Sequence, residues 1–547
     1  MLQKKCVLAA LAAALIPMPC AFGQTVNWHV VAAESGAITT PGLPPNVGRD
    51  FTDVYLGDVG AGLIGFRVTS PDASDGYWAR NRQGVLERYM QPGVSGAMGP
   101  GRSGAESAHV FRDYNSGWGK SGADGQRYFV ARAGAPAAPD AELSYGLWRW
   151  DTTRNVEHAR TLTDGALGPN LGAGWVFPNS SGFINGFLES SGGTTLFRAD
   201  LLSPTGATEI GYFKSAPGQS NQPCLLVDST DTRFSPGLGS GTFQSSPWAL
   251  SATPEGTFYG HFATSNSREG IWEICNGAPQ PIVVDEETGT RGPDIGIDTA
   301  YFSDFYQGPI PGAAGTFSFF ADYRRSPADS SHAGLFWHDG ASNRPLAIND
   351  DDGIFGPAWQ GSTWRTFYTS SLSGAGEYAA FQAGVNTADG GDPDGLWRVR
   401  AGGTPELVAL IGLIGAYGPE PNRTWRSFSD TAVLANGDIV AEATTDPGAE
   451  RALWLLQSGH SPRRIFMTGQ SVSVPIATGT GQTAVSGWSL PQEDGDGAQY
   501  SRGIDSWIGA DGTILIEASL EDYSGTTLLS AQPSNPIDRI FRNGFDG

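Results

Sequence analysis

The sequence predicts an all-β protein, a single closed β-propeller of about eight four-stranded blades. Three observations predict this fold class: the composition, a repeat with a period of roughly 60 residues, and an offset between the two ends of that repeat. The chain of 547 residues contains 76 Gly, 36 Pro, 16 Trp and 27 Phe, and only 16% of it is charged. This composition is typical of many short strands joined by tight turns.

The repeat is carried by a small-aromatic element that occurs eight times. Its copies are Gly76-Tyr77-Trp78, Gly146-Leu147-Trp148, Leu196-Phe197, Gly270-Ile271-Trp272, Gly334-Leu335-Phe336, Gly395-Leu396-Trp397, Leu453-Trp454 and Leu528-Leu529. In most units a Gly-Pro or a bare Pro follows the aromatic residue after 21 or 22 positions, as from Trp78 to Pro100. The third interval, from Phe197 to Pro236, is longer and predicts an insertion around residues 210–220.

A turn glycine followed by an alternating apolar run precedes each small-aromatic element and predicts the second strand of a hairpin. These runs are residues 62–66, 125–129, 182–187, 256–262, 315–320, 376–381, 437–442 and 512–517. Three of the turns are Asp-Gly or Asn-Gly pairs, which match the twist of a hairpin. Further apolar runs, such as residues 282–284 and 407–410, fill the remaining places, so each unit holds four strands. Such sheets bury both faces when they stack radially.

The two chain ends predict how the ring closes. Residues 28–33 form a lone fourth strand, whereas the last unit ends after its third strand near Ser530. The N-terminal strand can therefore complete the last blade and remove two exposed sheet edges. A linear solenoid is the alternative, but it gains nothing from this offset. Because the last copy is degraded, the sequence leaves seven or eight blades open.

The N-terminus predicts export. Lys4 and Lys5 precede an apolar run at residues 7–16, and Ala21-Phe22-Gly23 has the form of a signal-peptidase site. A buried helix or a membrane anchor is the alternative, but a span needs roughly 20 apolar residues. We therefore predict a signal peptide at residues 1–23, the propeller at 24–531 and a C-terminal tail at 532–547. No later stretch is apolar and long enough to predict a transmembrane segment.

The cysteines agree with an exported chain. Cys6 and Cys20 leave with the signal peptide, and Cys224 and Cys275 remain as an even pair. In an oxidising compartment such a pair predicts a disulfide, and two free buried thiols are the alternative.

The net charge limits the partners. It is -22 for the whole chain, and removing Lys4 and Lys5 gives -22 - 2 = -24 for the mature chain. Nucleic acid and anionic lipid favour a basic surface, which this acidic chain does not offer. The sequence therefore predicts no nucleic-acid partner.

The repeat resembles uncharacterised secreted bacterial β-propeller-like proteins, in which a Gly-Leu-Trp hairpin alternates with a Gly-Pro loop. The resemblance covers most of the mature chain, but its motifs are structural and imply no catalytic residue. The final segment, residues 537–546, is similar to short Ile-Phe-x-x-Gly-Phe-Asp tails of exported proteins of Gram-negative bacteria. This resemblance implies the cell surface, the extracellular space or the periplasm as the location, with a frayed chain end as the alternative for the tail.

Acidic clusters are the candidate metal site. Seven histidines are scattered without metal-ligand spacing, whereas carboxylates on glycine-containing loops can supply the oxygens that Ca²⁺ needs. The candidate ligands lie before blade six and between its second and third strands, on one rim, and are Asp350, Asp351, Asp352, Asp392 and Asp394. The alternative is a pair of solvated acidic loops. Apart from this possible Ca²⁺, the sequence predicts no cofactor.

Two functions fit the sequence. The first is a non-catalytic exported propeller that binds a glycan, a protein or a small molecule through the face carrying the long loops, because the chain has no linear catalytic motif. The second is a propeller enzyme that acts on glycans through carboxylates in the central funnel, where residues from separate blades leave no motif. Its candidate carboxylates lie near the predicted first strands, at Asp53, Asp113, Asp304, Asp430 and Asp505. A purely structural surface-layer protein is a third possibility.

Overall fold

The computed structural model describes residues 26–40, 42–43, 50–56, 64–69, 75–80, 85–113, 120–121, 127–180, 184–189, 194–239, 241–253, 256–313, 315–349, 353–359, 361–415, 417–491, 507–509 and 512–532. The predicted signal peptide and all but the first residue of the predicted tail lie outside these residues. Within them, no helix combines the length and the apolar character needed to cross a membrane.

Eight antiparallel sheets form the blades of a β-propeller. Blade 1 contains β2 (Asp50–Leu56), β3 (Ile64–Thr69), β4 (Gly76–Arg80) and β5 (Leu86–Met90), and blade 2 contains β6 (Val110–Asp113), β7 (Lys120–Ser121), β8 (Arg127–Gly134), β9 (Ser144–Trp150) and β10 (Asn155–Arg160). Blade 3 contains β11 (Ile184–Glu189), β12 (Thr195–Leu202), β13 (Thr208–Ser215) and β14 (Gln222–Leu226), and blade 4 contains β15 (Phe243–Ala252), β16 (Phe258–Thr264), β17 (Glu269–Ile274) and β18 (Gln280–Val284).

The second half of the chain continues the same meander. Blade 5 contains β19 (Tyr301–Pro311), β20 (Phe317–Arg324), β21 (His332–His338) and β22 (Asn343–Ile348), and blade 6 contains β23 (Thr363–Ala375), β24 (Tyr378–Asn386), β25 (Asp394–Arg400) and β26 (Glu406–Leu410). Blade 7 contains β27 (Thr424–Val433), β28 (Ile439–Asp446), β29 (Glu450–Leu456) and β30 (Arg463–Met467), and blade 8 contains β31 (Ser471–Ile476), β32 (Gly479–Ser489), β33 (Ile514–Leu520), β34 (Tyr523–Ala531) and β1 (His29–Ala33). Single-turn 3-10 helices lie at Gly104–Glu106, Asp140–Glu142, Thr232–Phe234 and Gly289–Arg291.

Two blades depart from four strands. In blade 2 the first strand is interrupted, so that β6 and β7 both pair with β8. In blade 8 the chain entering the blade adds the strand β31, which pairs with the innermost strand β32. Both additions occur at the innermost strand of the blade and leave the repeat of four intact.

The ring closes through the N-terminal strand, as the sequence predicts. β1 pairs antiparallel with β34, with His29 opposite Ser530 and Ala33 opposite Thr527. The indole of Trp28 donates to the Ile465 carbonyl of blade 7 at 3.0 Å, and its ring lies 4.6 Å from that of Phe466. The N-terminal segment thus joins the last two blades, and the closed ring of eight blades is confirmed.

A β-bulge recurs opposite the small-aromatic element of every blade. In blade 4, Ile271 faces Val283 but Trp272 faces Pro281, so that one extra residue stands in the fourth strand. β1 has the same irregularity between Val30 and Ala32. A bulge bends its strand and increases the local twist, and its presence in β1 shows that this strand is equivalent to the other fourth strands.

The structure corrects the prediction for blade 3. Phe197 lies in β12, which is the second strand, and it faces Phe213 in β13 just as Phe129 faces Trp148 in blade 2. The third-strand element is therefore Gly211-Tyr212-Phe213. Residues 210–220 contain most of this third strand and are not an insertion, and residues 182–187 lead into the first strand.

Within each of several successive blades, an aromatic ring in or before the first strand packs edge-to-face on an aromatic ring of the third strand. These pairs recur with ring centroids 4.9–5.4 Å apart and interplanar angles of 75–88° in blades 2 to 7, as Phe111–Trp148, Phe177–Phe213, Phe243–Trp272, Phe302–Phe336, Trp364–Trp397 and Trp425–Trp454. A Cβ at Gly146 would lie 2.5 Å from the Trp148 ring, so this glycine makes room for the indole. Such pairs contribute about 0.5–1.5 kcal/mol each beyond the area they bury.

Buried amides hold the Gly-Pro loops against the blades. The Asn155 amide donates to the Tyr89, Ala97 and Gly99 carbonyls at 3.0–3.3 Å, and Asn343 donates to Thr290 and Gly292 in the same way. These bonds satisfy carbonyls that would otherwise be buried without a partner. The loops between blades are therefore fixed parts of the molecule.

The predicted disulfide joins Cys224 to Cys275 and is confirmed. Cys224 lies in the fourth strand of blade 3, and Cys275 directly follows the third strand of blade 4. Both side chains are buried in the apolar cluster between these two blades. The bridge therefore links neighbouring blades, as the sequence predicts.

Candidate functional site

The two faces of the ring differ. The loops that join a fourth strand to the next first strand, and those that join second to third strands, emerge on one face, which we call the Gly-Pro face. On β19, residues 303–306 include the exposed Asp304 and Tyr306, whereas residues 308–310 are buried. β27 follows the same pattern. The inner strands thus line a funnel that opens on the Gly-Pro face.

Tyr306 and Tyr368 occupy equivalent positions on neighbouring inner strands of this funnel. Each follows an aromatic-x-x-Phe segment whose first ring packs edge-to-face on its own blade, Phe302 in blade 5 and Trp364 in blade 6. Their side chains are 49% and 40% exposed, which is unusual for large rings in this molecule. The funnel therefore presents one accessible aromatic ring on each of two neighbouring inner strands, β19 and β23.

In blade 5 a carboxylate fixes the tyrosine hydroxyl. Tyr306 Oη donates to Asp322 Oδ2 at 2.8 Å, and Ser331 Oγ donates to the same oxygen at 3.0 Å. Asp304 faces Asp322 directly across β19 and β20. Directly opposed like charges are unfavourable in a sheet, so the structure maintains two carboxylates here against their mutual repulsion.

Blade 4 contributes a further acidic group to the same place. Glu269 Oε1 lies 2.7 Å from Nε2 of His261, which is buried and packs edge-on against Phe305 of blade 5 at 5.5 Å. The charge of Glu269 also acts on Tyr306. The cleft between blades 4 and 5 therefore adds a third carboxylate beside the Tyr306 ring.

Blade 6 repeats the pairing of tyrosine and carboxylate. Asp394, the first residue of β25, lies close enough to Tyr368 for its carboxylate to raise the pKa of the Tyr368 hydroxyl. Asp394 Oδ1 also accepts from Arg365 Nη2 at 2.7 Å, and that nitrogen lies 3.3 Å from the Asp392 carbonyl oxygen. Arg365 thus holds the acidic loop of blade 6 against the inner strand.

Both tyrosines are held protonated. Partial burial, the hydrogen bond to Asp322 and the charges of Asp322, Asp304 and Glu269 raise the pKa of Tyr306 far above its usual value. Partial burial and the neighbouring Asp394 carboxylate also raise the pKa of Tyr368. Both phenols therefore stay protonated at physiological pH, and the Tyr306 hydroxyl remains a donor to Asp322.

These six residues form what we call the funnel-mouth cluster. They come from four strands of blades 4, 5 and 6 and from the start of a fifth, and they are Glu269, Asp304, Tyr306, Asp322, Tyr368 and Asp394. In the part of the chain that the structure describes, no group of three or more His, Cys, Asp or Glu side chains has an arrangement that could hold a metal ion.

A second concavity lies on the rim of blade 3. It has a volume of about 540 Å³ and is formed by the loops on either side of that blade and by the start of β13. Trp175 and Leu171 line one part of it, and Glu209 and Asp228 line another. Arg233 is paired with Asp231 at 2.6 Å, so its charge is neutralised.

The predicted calcium site is only partly within the described residues. Asp350, Asp351 and Asp352 lie outside them. Asp392 and Asp394 lie at the entry to β25, where Asp394 is bound to Arg365. The calcium site therefore stays a prediction, and Arg365 already compensates one of its five charges.

Of the carboxylates predicted for the funnel, Asp304 and Asp430 lie on the inner strands β19 and β27. Asp505 and the side chains of Asp53 and Asp113 lie outside the described residues, so their convergence at the axis stays a prediction.

Sequence reasoning missed the two tyrosines, Asp322 and Glu269. A signal for the tyrosines was present, because residues 302–306 (FSDFY) and 364–368 (WRTFY) share a pattern that residues 425–429 (WRSFS) nearly repeat. Nothing in the sequence near Asp322 or Glu269 marks either residue, since tertiary structure alone brings them to Tyr306.

Comparisons with known proteins identify a family. The model of a family of unknown function (DUF7453) matches residues 60–506. No curated protein matches the chain.

Among solved structures, the β-propeller domain of the Trilobed protease from Pyrococcus furiosus is 8% identical, with 76% of this chain and 96% of that chain covered and a TM-score of 0.31. An α-L-arabinanase from Penicillium chrysogenum is 9% identical, with coverages of 63% and 92% and a TM-score of 0.26. The Hadza microbial sialidase Hz136 is 12% identical, with coverages of 74% and 73% and a TM-score of 0.26. Likenesses at this level carry no conclusion about activity.

Proposed function

The chain belongs to this family of unknown function, DUF7453, and we propose that it is an exported propeller that binds a polar ligand, of the glycan class, at the mouth of its funnel. The observation that carries the proposal is the pair of exposed rings, Tyr306 and Tyr368, each beside carboxylates. Binding sites combine aromatic surface with a few fixed polar groups. The funnel mouth offers this combination on the face with the long loops.

Fixed geometry supports binding at this place. The Tyr306 hydroxyl is anchored by Asp322, and Ser331 adds a second donor to the same carboxylate. Aromatic side chains lose little conformational entropy on binding, because they have few rotatable bonds. An anchored ring reduces that cost further, so the site is organised before the ligand arrives.

Export is part of the proposal. The Cys224–Cys275 bridge supports it, since stable disulfides are rare in reducing compartments. The predicted signal peptide and the acidic composition of the mature chain agree with it.

The test is a screen of the mature chain, beginning at residue 24, against arrays of glycans, peptides and metabolites, followed by titration calorimetry of each hit. Tyr306→Ala and Tyr368→Ala should each weaken the binding of a true ligand by about fivefold, since aromatic contacts of this kind contribute on the order of 1 kcal/mol. Ile414→Ala is the control, because its 63% exposed side chain lies on the same face in the loop after blade 6. If Trp175→Ala abolishes binding and both tyrosine variants retain it, the rim of blade 3 is the site and the proposal fails.

Glycan cleavage is the second candidate, and one observation favours it. Asp304 faces Asp322 across two strands, and residues directly opposed in this way have Cβ atoms about 4.5–5.5 Å apart. Glycoside cleavage uses two carboxyl groups about 5–10 Å apart. The release of reducing ends from a bound glycan, and its loss in Asp304→Asn, would establish the enzyme; a bound glycan recovered intact would exclude it.

A further inference from the structure

The concavity on the rim of blade 3, which we call the rim cavity, has apolar walls that are held in place. Leu171 and Trp175 come from the loop before blade 3 and pack against the apolar cluster between blades 2 and 3. Two hydrogen bonds between the main chains of Val176 and Leu202, at 3.1 and 2.8 Å, fix that loop. With a volume of about 540 Å³, the cavity has the size of a small-molecule site.

Two carboxylates of the rim cavity have no partner from the protein. Glu209, near the start of β13, and Asp228, just after β14, line the same cavity. Among the described residues, neither side chain forms a hydrogen bond or an ion pair. Asp231, by contrast, accepts from the main-chain N–H and the guanidinium of Arg233 at 2.6–3.0 Å. The cavity therefore keeps two acceptors and two negative charges that a ligand can satisfy.

Other parts of this protein show which group binds between an indole face and a carboxylate. Three arginines lie with the guanidinium carbon 4.2–5.8 Å from the centre of a tryptophan ring and donate to a glutamate. They are Arg102 over Trp148 beside Glu157, Arg451 over Trp488 beside Glu442, and Arg464 over Trp454 beside Glu450. In each case the guanidinium stacks on the ring and saturates the carboxylate at the same time.

The rim cavity has the same two parts and lacks the third. It contains the partly exposed Trp175 and the carboxylates of Glu209 and Asp228. Arg233 does not fill the place, because it is paired with Asp231 at 2.6 Å. Among the described residues, no other basic side chain lines the cavity. The missing part is therefore a guanidinium that comes from outside the chain.

We infer that the rim cavity binds a guanidinium group, carried by a small guanidine compound or by an arginine side chain of a partner. A guanidinium is flat and always charged, and its five N–H donors reach carboxylates on separate walls while its face lies on the indole. An ammonium is a compact and strongly hydrated charge, which satisfies such a site less well. This inference concerns another cavity and another class of ligand than the proposed function and is independent of it.

The probes are the Nα-acetyl amides of arginine, citrulline and lysine. Citrulline has the shape of arginine without its charge, and lysine has the charge without the flat group. Ligand-observed NMR with the mature chain at pH 7 and low salt measures the dissociation constants. The arginine probe should bind at least about tenfold more tightly than the citrulline probe, because the charge pairs are lost with citrulline. It should also bind more tightly than the lysine probe, and added salt should weaken it.

Butylguanidine distinguishes the two sources of the group. Binding as tight as that of the arginine probe indicates a small guanidine compound, because no contact with a peptide backbone is then needed. Clearly weaker binding indicates an arginine side chain of a partner. Both results support recognition of the guanidinium.

Variants connect the preference to the cavity. Asp228→Asn keeps the size of the side chain, and asparagine tolerates the left-handed backbone at this position, where φ is +54°. Asp228→Asn and Trp175→Ala should each weaken the arginine probe by about fivefold, because one loses a charge pair and the other the indole face. Asp164→Asn is the matched control. It removes an equal charge from the loop before blade 3, at an exposed residue outside the lining of the cavity.

Several results would overturn the inference. They are equal binding of the arginine and citrulline probes, tighter binding of the lysine probe, and no measurable binding of the arginine probe to the parent chain. Arginine binding that is the same in Asp228→Asn, Trp175→Ala and Asp164→Asn would also overturn it. Tyr306→Ala and Tyr368→Ala should leave the arginine probe unaffected; a loss in these two variants would place the guanidinium in the funnel and refute the rim cavity.

Discussion

Arg102, in the loop that enters blade 2, forms a two-point ion pair with Glu157 on the fourth strand of that blade. Nε and Nη2 of Arg102 lie 3.0 and 2.6 Å from the two carboxylate oxygens, and the side chains are only 4% and 6% exposed. Blade 7 contains the same connection with reversed charges, where Glu420 of the entering loop binds Arg464 at 2.5 Å. Ion pairs thus attach the Gly-Pro loops of these two blades to their outer strands, and the pair in blade 2 is buried.

Breaking this pair should destabilise the propeller. Glu157→Gln leaves the Arg102 charge buried without full compensation, and such losses cost about 3–5 kcal/mol. Urea unfolding measures the change. The matched control is Glu377→Gln, whose partner Arg400 is on the surface, and it should leave the unfolding midpoint nearly unchanged. Equal effects of the two variants would contradict a buried, structural pair.

His158 should make the protein sensitive to mild acid. It lies between blades 2 and 3, with Nδ1 2.7 Å from Ser215 Oγ, and burial, followed by the charge of Arg149, lowers its pKa from 6.5 to about 3. Between pH 6.5 and about pH 3, His158 binds a proton in the unfolded chain but not in the folded chain. Stability is therefore retained above pH 6.5 and lost as the pH falls toward 3, by about 1.4 kcal/mol per pH unit from this group.

The measurement is the free energy of unfolding between pH 7 and pH 4 in His158→Asn and in the parent chain. The variant should lose less stability with falling pH, although it starts from a lower value. His460→Asn, at an exposed position, should keep the parent slope. The same slope in all three proteins would show that His158 titrates normally in the folded state.

Closure of the ring should depend on the N-terminal strand, β1. Deleting residues 24–33 removes β1 and uncovers the edge of β34, so the melting temperature should fall sharply. Trp28→Ala should already cost about 3–5 kcal/mol, because it removes the contact with Phe466 and the bond to Ile465. Ile354→Ala, at a side chain that is 67% exposed, is the control. An unchanged melting temperature after the deletion would count against closure by this strand.

The disulfide should stabilise the contact between blades 3 and 4. It closes a loop of 51 residues, which corresponds to on the order of 4 kcal/mol in the chain-entropy model. The Cys224→Ala, Cys275→Ala double variant should unfold at correspondingly lower urea concentration. Intact mass after alkylation without reductant should show no modified cysteine in the exported protein, and two alkylated cysteines would refute the bridge.

Calcium binding at blade 6 is the remaining prediction from the sequence. If the folded chain alone binds Ca²⁺, a hundredfold excess over the dissociation constant should add about 2.7 kcal/mol of stability. Calorimetry in calcium and then in a chelator measures this, with Asp392→Asn as the variant that should lose the difference. Identical melting curves for the parent chain in both solutions would leave these acidic loops simply solvated.

Most of the fold could be predicted because it follows from local rules. Alternating apolar residues, Asn-Gly and Asp-Gly turns and the Gly-x-Trp element act within a few residues of one another, so they mark second and third strands directly. The error in blade 3 arose because Phe197 and Phe213 both lie in apolar strands. Only the register, which places Phe213 in the third strand opposite Phe197, distinguishes them.

The candidate site could be predicted only in part. Asp304 was a candidate because it lies near a first strand, and Tyr306 and Tyr368 shared an aromatic-x-x-Phe-Tyr pattern. Asp322 and Glu269 could not be found, because their neighbours in sequence carry no signal. They reach Tyr306 from the second strand of the same blade and from the third strand of the preceding one.

The sequence by itself determined the number of strands per unit, the closing strand and the cysteine pair, because each depends on a repeated local pattern or on the chain ends. Tertiary structure alone decided which carboxylates meet at the funnel mouth and which ones are already neutralised by arginines. The reason is physical: a β-propeller brings residues together across blades, where hydrogen bonds and charges act over a few ångströms of space irrespective of their separation along the chain.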